Sequence, residues 1–419
     1  MKPLPAILLA LVSIASSQHV QFAVTKGPAF HGDAATPSLA RRGAYPERLI
    51  NSVSGGGYYI EVEVGTPAQT LTMLLDTGSS DAWVLGHDAD LCTDRNLQGL
   101  YGVSCTSTYD ASKSSSIKMI QPDGFKIVYL DGGSASGDYI SDHLVVDGAT
   151  IESLQMAYVT EAGRGTGVLG LGYSISERAA TKYPNIIDQM ANQGLIGCKA
   201  YSLYLNDRRT DSGSILFGGI DTDKFIGPLH VLPLYKAPGG TYSSFEVNFT
   251  NVAVTYNNGT ELTIPTSILS YHAPAVLDSG TTLTYLPDEM AQPIFTALSA
   301  VYDPDLHTTL VSCKPATPFT LTFTFPTITP NRSVTITIPL HELILDLLPP
   351  NYAPPPGLPK QQKPCILAIQ STALLSTSLK SPAHFALLGD TFLRSAYVVY
   401  DRTSNPPIPS PQPTKRSPH

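Results

Sequence analysis

Two copies of one short pattern, 202 residues apart, constrain this chain more than any other feature. Leu74-Leu75-Asp76-Thr77-Gly78-Ser79-Ser80 runs two apolar residues, then Asp, hydroxyl, Gly, hydroxyl, hydroxyl. Val276-Leu277-Asp278-Ser279-Gly280-Thr281-Thr282 repeats it type for type. The apolar pair reads as the end of a buried strand. The glycine allows a sharp turn straight after the acid. Each acid is then presented in a cleft, with hydroxyls one and three residues on to orient it. A lone Asp-Thr-Gly carries little weight, because acidic turns are common and most only solvate a loop. Two copies, each after an apolar strand, ask for a shared purpose.

A second element repeats in the same order. Gly167-Val168-Leu169-Gly170-Leu171-Gly172 follows the first acid, and Leu387-Leu388-Gly389-Asp390 follows the second. The glycine-rich run taken alone looks like a phosphate loop. No helix signal or P-loop lysine follows it, so nucleotide binding is rejected. Acid turn, then apolar-apolar-Gly, occurring twice, predicts two related lobes that each donate one Asp. We place them at residues 53–225 and 226–403, ahead of a Pro-rich tail at 404–419.

Between these landmarks the chain reads as strands. Tyr58 to Val64 alternates and turns at Gly65-Thr66-Pro67, and order is expected to begin there. Gln69 to Leu75 delivers Asp76, and Ala82 to Leu85 carries Trp83, the one Trp of the chain. Phe125 to Tyr129 and Asp138 to Val146 read as a hairpin whose flexible tip, Asp131 to Gly137, suits a lid. Helices are expected at Ile186 to Gln193 and Asp288 to Val301.

Composition narrows the class. With charged residues at 14% and hydrophobic ones at 42%, the chain is too apolar for disorder. A net charge of −8 makes nucleic acid a poor partner. Lys2, the apolar run Leu4 to Ile14 and the small residues Ala15-Ser16-Ser17 form a signal-peptide pattern, residues 1–17, too short for a membrane span. No transmembrane span is expected once it is removed. Residues 18–52 are polar with little periodicity and read as a propeptide. The pair Arg41-Arg42 there is either its cutting site or an ordinary basic pair in a disordered arm. Of five cysteines, Cys92 with Cys105 could close a short loop and Cys313 with Cys365 a longer one, leaving Cys198 over. Sequons at Asn248, Asn258 and Asn331 fit secretion.

Two carboxylates meeting at a lobe seam cannot both ionise cheaply, so the pair holds one proton. A water held between them loses a proton to the ionised acid and attacks a carbonyl. The protonated acid supports the developing oxyanion and protonates the leaving amine. No metal or cofactor is needed, and the histidines show no His-Glu-x-x-His pattern. Such chemistry fades as pH approaches neutral.

On these residues the chain resembles the pepsin-like aspartic endopeptidases (family A1), of the fungal secreted or yapsin-like type. The resemblance covers about Tyr58 to Asp401. Proton sharing by the paired acids is that family's established behaviour. The resemblance implies an all-β, bilobal pepsin-like fold, with a central cleft and a β-hairpin flap, acting as a monomer on peptide or protein substrates. It implies Asp76 and Asp278 as the catalytic dyad. Ser79 and Thr281 match the hydroxyls that bond the carboxylates, and Thr77 and Ser279 the pair that ties the loops together, around Gly78 and Gly280. Tyr129 matches the flap tyrosine, steadied by Trp83. Asp131, Gly132 and Gly133 fall on the flap tip, and Thr282 beside the substrate. Leu130 departs from the pattern, since the family usually has Gly there. The Cys92 to Cys105 insert is longer than in pepsin itself. Its acids, Asp88, Asp90 and Asp94, either favour Lys or Arg near the scissile bond or only solvate the loop.

A pepsin-fold binding protein without catalysis would usually spoil an Asp or its neighbours, and none is spoiled. A two-carboxylate glycoside hydrolase would not explain the paired hydroxyl-Gly turns. The expected product is a secreted or cell-surface acid endopeptidase.

Overall fold

Tyr58–Val64 is a strand for the reason its sequence gives: Tyr58, Ile60, Val62 and Val64 are buried while Glu61 and Glu63 face water. It pairs antiparallel with Gln69–Asp76, which carries the first acid. The computed structural model describes residues 19–23, 25–26, 44–51, 56–210, 212–237, 239–375 and 384–402. The leader-like run, Arg41-Arg42 and the Pro-rich tail lie outside them.

The architecture is all-β and bilobal. A 13-stranded sheet gathers the first half, and sheets of five, four and four strands build most of the second. The final strand, Tyr397–Asp401, crosses back to pair with Ala200–Tyr204 on one side and His19–Ala23 on the other. One buried apolar cluster runs through both halves, taking in Leu75, Leu169, Leu277 and Leu388. A second lies under the hairpin around Trp83, Phe125, Tyr139 and Val168.

Each lobe builds its acid turn on the same three-strand unit. In the first, Gly167–Gly170 runs parallel to the Asp76 strand and antiparallel to Ala82–Leu85. In the second, Ala386–Leu388 runs parallel to Ala275–Leu277 and antiparallel to Thr284–Leu286. The glycine closing the apolar pair has a steric cause. A β-carbon on Gly170 would lie 2.5 Å from the Asp81 carbonyl oxygen, and one on Gly389 2.2 Å from that of Leu283. The chain leaving each acid turn crosses directly over these glycines.

Three expectations need correction. Order begins before Tyr58: Tyr45–Asn51 is a strand between Ser212–Phe217 and Tyr58–Val64, anchored by fully buried Leu49. Backbone pairing on both sides holds it, which apolar periodicity does not reveal. The hairpin is also longer, with strands Lys118–Val128 and Ser134–Val146 and a turn confined to 129–133. Gly137 belongs to the returning strand, where a β-carbon would meet the Tyr158 carbonyl oxygen at 2.1 Å. It marks close approach, not a turn. Finally, the stretch inside and beside the Cys92–Cys105 loop is partly helical, at Asp90–Thr93 and Arg95–Tyr101. The expected helices occur as Ile186–Asn192 and Asp288–Leu298.

Candidate active site

The two acid turns meet at the seam and are laced together by their first hydroxyls. Thr77 Oγ1 donates to the Leu277 carbonyl at 2.9 Å, and Ser279 Oγ to the Leu75 carbonyl at 2.9 Å. Each hydroxyl also accepts from the opposite backbone, Ser279 N–H to Thr77 Oγ1 at 3.0 Å and Thr77 N–H to Ser279 Oγ at 3.2 Å. All four bonds are buried, so removing one partner leaves a polar group without water or protein to satisfy it.

This lacing sets the acids against one another. Asp76 Oδ1 accepts from the Gly78 and Ser79 backbones at 2.8 and 3.1 Å, and its Oδ2 accepts from the Ser79 hydroxyl. Asp278 mirrors it, with Gly280 N–H on Oδ1 at 2.8 Å and the Thr281 hydroxyl on Oδ2 at 2.7 Å. Burial, followed by the negative charge of Asp76, pushes the Asp278 carboxyl up to about 7. A carboxyl in that state can donate as an acid while its neighbour accepts as a base.

The glycines of the two turns are required for a different reason from the one expected. Neither Gly78 nor Gly280 has a left-handed backbone. A β-carbon on Gly78 would lie 2.5 Å from Asp278 Oδ1, and one on Gly280 2.5 Å from Asp76 Oδ1. Each turn leaves room for the other turn's acid.

The hairpin tip lies within reach of the first acid, whose charge bears on Tyr129. Tyr129 OH accepts from the indole N–H of Trp83 at 2.8 Å, and the Trp83 ring is wholly buried. The tip is a tight turn, with Gly132 N–H donating to the Tyr129 carbonyl at 3.0 Å and Tyr129 N–H to the Gly133 carbonyl at 2.8 Å. Gly132 is left-handed, with φ of 85°. Asp131 Oδ1 accepts from Gly133 N–H at 2.9 Å. Thr282 lines a small recess with Gly56, Gly57, Arg208 and Arg394.

Other expected residues lie away from the acids. Cys92–Cys105 and Cys313–Cys365 are disulfides, and Cys198, outside both, is partly buried and donates to the Gly218 carbonyl. Asn258 and Asn331 are exposed, while Asn248 is half-buried. The acids of the insert are bound up locally. Asp88 accepts from the Tyr158 hydroxyl, Asp90 from the Ala162 backbone at 3.1 Å, and Asp94 caps the short helix through Asn96 N–H at 2.7 Å.

Four residues escaped sequence reasoning. Asp81, just past the first turn, is buried and accepts from the hydroxyls of Tyr139 and Tyr183 at 2.8 and 2.9 Å. Asp390 is fully buried and feels the charge of Asp278; burial raises its carboxyl well above the usual range. Glu177 is buried beside Asp81, and Arg164 reaches the flap tip. Asp390 follows a repeated apolar-apolar-Gly, the only signal any of the four gave.

The family model described as eukaryotic aspartyl protease matches residues 57–407. The chain is 38% identical over 361 residues to the probable aspartic-type endopeptidase opsB of Aspergillus fumigatus, covering 83% of this chain and 67% of that one. It is 32% identical over 379 residues to aspartic proteinase yapsin-3 of Saccharomyces cerevisiae, covering 87% and 67%. With secreted aspartic protease 8 of Candida albicans it shares 30% identity over 367 residues, covering 87% and 78%.

Proposed function

This chain belongs to the eukaryotic aspartyl protease family and is an aspartic-type endopeptidase, and we propose that it is a secreted one, with Asp76 and Asp278 as its catalytic pair and acid pH as its working range. In this reading the pair holds one proton, kept at rest on Asp278. Burial and the neighbouring acid favour the protonated form of Asp278. Asp76 takes a proton from water as that water's oxygen bonds to the scissile carbonyl carbon. Asp278 donates to the carbonyl oxygen as it gains charge. Asp76 then gives its proton to the departing amine as the C–N bond breaks, and one hydroxyl of the diol returns its proton to Asp278, leaving a carboxylic acid and an amine.

The observation that carries this reading is the reciprocal fit of Gly78 to Asp278 and of Gly280 to Asp76. That fit serves no packing purpose that a plain turn would need. Secretion is supported by the leader pattern of residues 1–17, by two disulfides and by the similarity to a secreted protease. No helix among the described residues is long and apolar enough to cross a membrane. Of the segment expected as a propeptide, the part ending at Arg41-Arg42 is proposed as removed, since Tyr45–Asn51 beyond it is a strand paired on both sides.

Cleavage of a peptide library at acid pH tests the function. Asp76→Asn and Asp278→Asn are each expected to lower turnover about a hundred- to ten-thousandfold. Full turnover in either variant would remove both acids from the mechanism.

A further inference from the structure

Arg164 is a cation that touches two residues of the flap turn, Asp131 and Tyr129. Its Nη2 lies 2.5 Å from Asp131 Oδ2, and its guanidinium carbon sits 4.7 Å above the centre of the Tyr129 ring. Asp131 is itself bent back by its bond to Gly133 N–H. Gly133 gives the space this needs: a β-carbon there would lie 3.0 Å from Asp131 Oδ1 and 3.4 Å from Arg164 Nε. Tyr129 is therefore held twice, at its hydroxyl by Trp83 and on its face by Arg164.

The arginine does not come from the hairpin. It belongs to the segment between Ala162 and Gly167, which is tied down on every side. Ala162 N–H donates to Asp90 at 3.1 Å, and Gly163 N–H to the Ser134 carbonyl at 3.0 Å. Thr106 N–H donates to the Gly165 carbonyl at 2.9 Å, and Thr166 Oγ1 to the Thr72 carbonyl at 2.6 Å. Thr106 follows Cys105 directly, so the disulfide-closed insert braces the base from which Arg164 extends. The hairpin tip is held by the bonds within its own turn and by the Gly163–Ser134 bond at its root, and Val128 beside it is exposed.

We propose that Arg164 is a positioning residue for the flap: from a rigid base it clamps Asp131 and Tyr129, so that the flap tyrosine is set in place before substrate arrives. This deepens the endopeptidase reading and rests on it. Pre-setting the flap removes an ordering cost from substrate binding, so losing the clamp falls on KM more than on kcat.

The chain's single Trp supplies a readout independent of turnover, because Trp83 holds the same tyrosine. In Arg164→Ala we expect acrylamide quenching of Trp83 fluorescence to rise several-fold, with KM up roughly tenfold and kcat within about twofold. Asp131→Asn, on the exposed tip, should give the same direction at smaller size. Arg164→Lys should restore part of the KM, since it keeps the charge without the flat stacking group. Wild-type quenching in both Arg164→Ala and Asp131→Asn overturns the clamp, whatever the enzyme cleaves. An unchanged KM beside raised quenching overturns the claim that the clamp serves binding. If Arg164→Ala does not fold, Asp131→Asn alone decides by the same two measurements. Failure of the endopeptidase reading itself appears separately, as no acid-pH cleavage by the unaltered enzyme.

Discussion

Gly78 and Asp278 come from opposite lobes, yet a β-carbon on the glycine would fall 2.5 Å from the acid's Oδ1. The first turn is glycine because the second turn's carboxyl fills the space. The smallest change at Gly78 therefore acts on the other lobe's acid.

Gly78→Ala should push Asp278 out of register and strain the seam, costing about 1–3 kcal/mol of stability. Peptide turnover should drop far more than that stability loss explains. Thermal denaturation beside kinetics separates the two effects, and near-normal kcat in a folded Gly78→Ala would show that the contact is loose.

The hydroxyl lacing makes a second prediction. Thr77→Val keeps shape but leaves the Leu277 carbonyl and the Ser279 N–H without their buried partner. The expected cost is about 2–4 kcal/mol, from about 1–3 kcal/mol for each orphaned group with some relaxation. Chemical denaturation should record it. A change under about 0.5 kcal/mol would mean that water enters the seam.

Glu177 gives stability a pH slope. Burial pushes its carboxyl up to about 9, against an ordinary value of 4.5. The native state thus keeps a proton that the unfolded chain releases above about pH 4.5. Its contribution is complete below that pH and is lost as pH rises through about 9. Melting temperature should therefore fall between pH 5 and 9. Glu177→Gln, which stays neutral, should flatten that fall; an identical slope in the variant would assign the loss elsewhere.

Removing Cys313 and Cys365 together frees a loop spanning 52 residues. Loop entropy puts the cost at about 4 kcal/mol, against about 3 kcal/mol for the Cys92–Cys105 pair. The Cys313 pair belongs to a four-stranded sheet separate from the one that carries the flap, so its loss should lower the melting temperature and leave Trp83 quenching unchanged.

Much of the site was legible because it is written in short local words. Two Asp-hydroxyl-Gly turns and two apolar-apolar-Gly elements located both acids, their hydroxyls and the seam. What escaped depends on distant approach. The role of Gly78 was read as turn chemistry, whereas it is set by an atom about two hundred residues away. Gly137 looked like a loop tip and is a packed strand residue. Tyr45–Asn51 is held by backbone ladders, which leave little mark on side-chain pattern. Arg164 sits between glycines with nothing nearby in sequence to aim it at a flap more than thirty residues earlier.

The pH dependence of kcat/KM on a peptide substrate tests the shared proton most directly. With Asp278 raised to about 7, the profile should stand high in acid and descend through neutral pH as one proton leaves. A rate that stays level from pH 4 to 8 would contradict it.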